Sequence, residues 1–290
     1  MNRTVEKIYP APSFHWVGNG FRVHNFFPSN TDIGMYRMSP YFLMDYASKH
    51  EFPPGNEPRG VDVHPHRGIE TVTIAYHGKV AHHDSAGNSG VIGEGDIQWM
   101  TAGAGILHKE YHEKEFTSKG GIFQMVQIWT NLPKKDKMTA PKYQELTYKE
   151  GNKYELPDNG GSMHIIAGEY MGIKGKAETF VPTVLFDAKL NKGAELKLDF
   201  PEHHNTGFLV VEGNVTVNGN NKVEWDHFVL MANDGSDFII KAETDAKVLI
   251  LSGEPINEVI VPYGPFVMNT KEEINQAYED YRSGKFGHLE

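Results

Sequence analysis

Hydrophobic and polar residues alternate along this chain in short runs. Thr71-Val72-Thr73-Ile74-Ala75-Tyr76, Gly121 to Trp129, Gly207 to Val211, Asn214 to Asn218 and Ala246 to Leu251 are examples. A period of two, rich in β-branched and aromatic residues, predicts strands. Glycine and asparagine punctuate the runs, and short strands at regular spacing imply a β-sandwich or small barrel. A doubly wound α/β fold would need long helices between the strands, and the pattern offers none. One amphipathic helix stands near the C-terminus. Thr270 and Glu273 form a capping box, Ile274, Ala277, Tyr278 and Tyr281 follow at helical spacing, and Gly284 is the stop.

The runs recur. Tyr76-His77-Gly78-Lys79-Val80 resembles Val211-Glu212-Gly213-Asn214-Val215 at an offset of 135, and Gly95 to Ala102 resembles Trp225 to Ala232 at an offset of 130. Two copies in the same order predict two similar β-domains in tandem. The stretch 133–159, rich in Lys, Pro, Glu and Gly, is the expected junction. The expected division is therefore 1–140 and 141–290, the helix belonging to the second domain.

Composition narrows the chemistry. The 290 residues contain no cysteine, which excludes disulfides, thiolate metal sites, iron–sulfur clusters and a cysteine nucleophile. With 28 basic against 38 acidic residues, the formal charge of −10 argues against direct nucleic-acid binding. The one lysine cluster, Lys134, Lys135 and Lys137, reads as a loop. No apolar run is long enough to span a membrane, and the first residues lack the apolar core of a signal peptide. The expectation is a cytoplasmic, or nuclear, monomer. Histidine is the residue left to carry chemistry: there are 15, and seven fall between His64 and His112.

Two dyads stand out. In His64-Pro65-His66, residues i and i+2 of a strand share a face, so both imidazoles point one way. His108-Lys109-Glu110 has the same form, with His108 and Glu110 on one face. The dyads lie 44 positions apart, joined by a segment containing Gly87, Gly90, Gly93, Gly95, Gly103 and Gly105. On neighbouring strands they would converge three nitrogen ligands and one oxygen on a single metal, leaving open positions for substrate and dioxygen.

The residues around these dyads carry a resemblance. His64-Pro65-His66-Arg67-Gly68-Ile69-Glu70-Thr71-Val72-Thr73, His82-His83-Asp84-Ser85, Gly95 to Gly103, His108-Lys109-Glu110 and the later Tyr263 to Thr270 together resemble the pirin family of the cupin superfamily. The resemblance implies an all-β bicupin, two tandem jelly-roll-like barrels or sandwiches with a C-terminal helix. It implies one divalent transition metal, usually Fe, on His64, His66, His108 and Glu110, with Mn, Co, Ni, Cu or adventitious Zn as alternatives. Glu70 competes as the carboxylate, and otherwise holds an imidazole or a water from behind. His83 stands where pirins usually show arginine. His82 and His83 are expected at the surface or in a turn unless one touches substrate. His77 is expected at a hairpin and His112 at a strand end. His203 and His204 lack the H-x-H form.

In the second copy, the local offsets carry His64 and His66 onto Asp199 and Pro201, and His108 and Glu110 onto Phe238 and Ile240. No metal is expected there, and Phe238 and Ile240 should be buried. Some pirins resemble quercetinases, which implies a dioxygenase acting on a flavonol or similar small aromatic, with Glu110 as ligand and proton acceptor. Phe123, Met125, Trp99 and Ile106 are the expected lining of an apolar mouth. Eukaryotic pirins resemble transcription coregulators, which implies the alternative of a metal-redox-responsive module with a protein partner.

Overall fold

The computed structural model describes residues 2–149 and 151–290. The chain forms two compact β-units. One comprises Ser13–Asn30, Tyr41–Tyr148 and Ile256–Glu290; the other comprises the residues up to Pro12, Thr31–Pro40 and Lys149–Pro255.

The first unit pairs a seven-stranded sheet with a four-stranded one. In the larger, Lys142–Leu146, Ile97–Thr101, Ile69–His77, Gly121–Asn131, Tyr41–Phe52, Phe21–Phe27 and Phe14–Val17 lie side by side. In the smaller, the order is Gly60–His66, Ile106–His112, Val80–Asp84 and Ser89–Ile92. Neighbours in both are antiparallel. Phe21, Val23, Ala47, Phe52, Ala75, Val80, Ile92, Phe123 and Met125 fill the interior.

The second unit repeats the plan with a seven-stranded and a four-stranded sheet. Phe186, Phe200, Phe208, Phe238, Ile240, Leu196 and Leu198 belong to its continuous apolar core. Phe238 and Ile240 are buried as expected, at 1% and 0% exposure. The register expected opposite them is off. Phe238 pairs with Leu198 and Ile240 with Leu196, while Asp199 and Pro201 are exposed. Leu196, Leu198 and Phe200 have the parity that faces the core, and Asp199 and Pro201 do not.

The compact units are not consecutive blocks meeting at residue 140. Val5–Pro10 pairs with His227–Met231, so the first strand completes a sheet of the later unit. The helix, Lys271–Arg282, keeps its expected capping box. It packs in the earlier unit, where Ile274 and Ala277 meet Leu107, Phe266, Met268 and Phe286. Each terminus buries its apolar face against a unit it is not contiguous with in sequence. No helix among the described residues is long and apolar enough to cross a membrane.

A short helix at Lys114–Lys119, which no local pattern announced, is begun by the Glu113 carboxylate accepting from the Glu115 and Phe116 amides. Lys137 lies in a turn, consistent with the expected loop. It is buried, and its ammonium donates to the Gly68 carbonyl, Asn131 Oδ1 and the Val267 carbonyl at 2.8, 2.7 and 2.7 Å. Burial pulls its pKa down to about 7.

Candidate metal centre

The two dyads occupy neighbouring strands in register, with His108 opposite His64 and Ile106 opposite His66. The pairing then slips: Glu110 faces Val61, so the H-x-H strand carries an extra residue around Asp62 and Val63. Such a bulge re-aims side chains. It turns the Asp62 carbonyl toward His64, whose Nδ1–H donates to it at 2.8 Å. His66 Nδ1 donates to the Pro265 carbonyl at 3.2 Å. A carbonyl only accepts, so both rings carry their proton on Nδ1 and keep the Nε2 lone pair free.

The imidazoles of His64, His66 and His108 converge, their donor atoms lying within 4.8 Å of one another. The ring centroids are 4.9 Å apart for His64 and His66, 4.2 Å for His64 and His108, and 4.8 Å for His66 and His108. Burial, with His64 adding to it, pushes the His66 pKa down to about 3, and burial holds His108 well below its ordinary value. His66 and His108 are therefore neutral at pH 7, the form that ligates metal.

His108 is fully buried, and neither of its ring nitrogens has a hydrogen-bond partner. An orphaned buried polar group costs about 1–3 kcal/mol, and a cation shared with the two flanking imidazoles would remove that cost for one nitrogen. The residues present fit a divalent metal.

Glu110 completes a second group, its carboxylate lying within 4.8 Å of donor atoms of His82 and His108. The Thr73 hydroxyl donates to Glu110 Oε1 at 2.9 Å, and Gln98 Nε2 lies 3.5 Å from the same oxygen. Gln98 Nε2 also meets His82 Nδ1 at 2.8 Å, and His82 Nε2 lies 3.5 Å from Asp84. The Ala86 and Asn88 amides fix Asp84.

His82 is accordingly no surface or turn residue: it is fully buried beside His108, with ring centroids 5.4 Å apart. His83 points the other way and stacks on Tyr111. His112 is also buried, but its Nε2 meets the Gly20 carbonyl and its ring packs among Phe21, Phe52, Phe116 and Phe123.

Glu70 does not back the imidazoles. Thr73 reaches Glu110, so by the period of two Glu70, Val72 and Ile74 face the other side of their sheet. Gly68, at φ +79°, sits between the H-x-H strand and this one and resets the parity. There the Thr101 hydroxyl donates to Glu70 at 2.8 Å, and burial raises its pKa to about 7.

A cavity of about 70 Å³ opens against His64, His66 and Glu110, walled by Val17, Phe21, Val23, Val61, Met125 and Trp129, with Asp45 and Gln127 among its lining. Of the expected lining, Met125 is present. Phe123 sits deeper among the aromatics of the core, Trp99 faces away from Gln98 by strand parity, and Ile106 is buried off the wall. Trp129, missing from that expectation, sets its ring edge to His66 at 4.9 Å.

One polar feature escapes any reading by local motif. Asn25 pairs with Asp45, Asp45 with Gln127, Gln127 with Thr73 and Thr73 with Gln98, across five adjacent strands. These residues form a transverse row leading to Glu110. The Thr73 hydroxyl touches both Glu110 Oε1 and, at 2.6 Å, Gln127 Oε1.

Known proteins agree with this architecture. The family pattern described as pirin matches residues 20–130, and that of the pirin C-terminal cupin domain matches residues 185–287. A crystal structure of quercetin 2,3-dioxygenase from Acinetobacter baumannii superimposes with a TM-score of 0.93 at 47% identity, covering 100% of both chains. A Pseudomonas aeruginosa protein, whose name as a quercetin 2,3-dioxygenase is provisional, is 47% identical over 98% of each chain. Pirin from Homo sapiens is 38% identical over 86% of this chain and 83% of its own. With two cupin domains and matches along nearly its whole length, the chain belongs to the pirin family.

Proposed function

We propose that the protein is a metal-dependent dioxygenase of the quercetin 2,3-dioxygenase type, acting on a flavonol or a similar small hydroxylated aromatic. His64, His66 and His108 are its nitrogen ligands and Glu110 its carboxylate. The observation that carries this reading is His108, buried with both ring nitrogens unpartnered behind His64 and His66, the two imidazoles that line the cavity. The names of the Acinetobacter and Pseudomonas relatives support the substrate class. Iron is the assigned metal. Imidazole and carboxylate also accept Mn, Co, Ni and Cu, so availability decides loading.

When bound, the cation would supply Lewis acidity toward a substrate oxygen and redox access to dioxygen. The remaining work falls to the chain. His64 and His66 are held in one tautomer by carbonyls, so no rearrangement is needed to present their lone pairs. Glu110 is placed to accept the proton of the reacting hydroxyl while Thr73 steadies its other face. Val61, Met125 and Trp129 keep water from the reacting edge. A cavity of this size admits that edge of a flavonol rather than its whole body.

The test is elemental analysis of protein from its own host together with oxygen uptake on quercetin. About one metal per chain and carbon monoxide release with uptake are expected. Loaded protein that binds quercetin and consumes no oxygen would overturn the enzymatic reading.

A further inference from the structure

The transverse row contains a second carboxylate, which the proposed reaction does not use. Asp45 lies in the cavity wall with His64, His66 and Glu110. One of its oxygens, Oδ1, accepts from Asn25 Nδ2 at 2.8 Å. Asn25 is itself fixed, donating to the Phe27 carbonyl at 3.0 Å and accepting from the Ser29 amide at 3.0 Å. Asp45 is therefore oriented by a side chain anchored in its own turn. Its Oδ2 makes no hydrogen bond among the described residues.

A purely structural role would not call for this residue type. An amide oxygen accepts the Asn25 bond equally well, without the cost of setting a carboxylate in an apolar wall. That cost is visible: burial raises the Asp45 pKa, with the Asn25 bond and the charge of His15 opposing. The neighbouring polar group, Gln127, accepts from Thr73 through Oε1, and among the described residues no hydrogen bond joins its amide nitrogen to Asp45. What remains is a preset acceptor facing a cavity in which the imidazole cluster and Glu110 already define where one substrate hydroxyl goes.

We propose that Asp45 is a specificity-determining residue that accepts a hydrogen bond from a second substrate hydroxyl, so that the site selects polyhydroxylated aromatics over singly hydroxylated ones. The proposal rests on the oxygenase reading for the place of the first hydroxyl. Asn25 positions Asp45, and the apolar wall sharpens the discrimination, because a lone carboxylate left facing a substrate without that hydroxyl is desolvated and unpaired.

The experiment uses metal-loaded protein under nitrogen, so that binding is read without turnover. The probes are quercetin and 3-hydroxyflavone, which lacks the additional hydroxyls. Wild type should bind quercetin more tightly. Asp45→Asn should weaken quercetin about tenfold or more, the scale of a hydrogen bond to a charged group, and change 3-hydroxyflavone by less than about twofold. Asp45→Glu, which keeps the carboxylate, should restore part of the difference. Equal losses for both probes would reduce Asp45 to a structural support, and no loss for either would remove it from the site. Should neither variant fold, equal wild-type affinities for the two probes still overturn the proposal. Oxygen uptake by wild type is scored separately: its absence sinks the oxygenase reading, while the affinity ratio continues to judge Asp45.

Discussion

Where Ile106–His112 runs beside Gly60–His66, His108 stands opposite His64; where Asp237–Ala242 runs beside Glu195–Asp199, Phe238 stands opposite Leu198. The second interior is complete in itself. Phe238 stacks on Phe208 at 6.3 Å and tilts against Phe200 at 6.1 Å, and dispersion and burial satisfy every face. The first interior gathers imidazoles at comparable spacing and leaves nitrogens of its innermost ring unpaired. One β-framework can therefore be closed by hydrocarbon or left dependent on a ligand, and the choice lies in a few inward positions.

The sharpest way to break this contrast is to remove the dependence. His108→Ala or His66→Ala should take metal content from about one per chain to nearly none. Chelation should lower the melting temperature of wild type but not of the variant, since only a native state that binds gains from the ion. Two metals per chain in wild type, by elemental analysis, would mean that the second interior is not the inert partner described here.

The converse change is Phe238→Ala. Truncating a buried aromatic should cost roughly 3–5 kcal/mol, measured by denaturant unfolding, with metal stoichiometry in the folded fraction unaltered. A loss of metal with this substitution would show that the two interiors are coupled.

Glu110→Gln keeps volume and removes the charge and the basicity. Turnover of quercetin should fall about 10²-fold, with a much smaller change in thermal stability. Full turnover at full metal occupancy would dismiss Glu110 as the proton acceptor.

The smallest effect concerns Glu70, which separates buried polarity serving the centre from buried polarity that does not. Its carboxyl holds a proton up to about pH 7 when folded, against 4.5 for the free side chain. The folded state thus binds the extra proton between those values, and stability falls as pH rises through that window. Glu70→Gln should flatten this fall. It should gain about 1–3 kcal/mol over wild type at pH 8 and nothing at pH 4, read from unfolding curves at the two pH values, with metal content unchanged.

The parts of this contrast that could be read from the chain were those governed by local periodicity. H-x-H and H-x-E share a face on any strand, and the capping box at Thr270 and Glu273 needs only a helix start. Phe238 and Ile240 were legible because apolar residues in a repeat have nowhere else to go. What escaped depends on register. Glu70 shares the parity of His64 and His66 in the sequence, and the turn at Gly68 cancels it. His82 gains its place from the strand that carries Glu110 opposite it. Asn25, Asp45, Gln127, Thr73 and Gln98 are scattered through the sequence and become a row only when five strands align. The bulge that aims Val61 and His64 into one cavity has no composition signal at all.

The carbonyl that orients His66 belongs to Pro265. The same distant segment holds the following residue, Arg67, which accepts from the Val267 amide at 3.1 Å and pairs with Asp280 at 2.9 Å. On the ribosome, the H-x-H strand is therefore synthesised long before the group that sets its geometry. Contacts so distant in sequence form late and slowly. During that interval the imidazoles are free to meet ions without their final alignment. A nascent chain paused short of residue 265 would carry His66 without the carbonyl that orients it, so any metal captured there would meet its final alignment only after this segment closes.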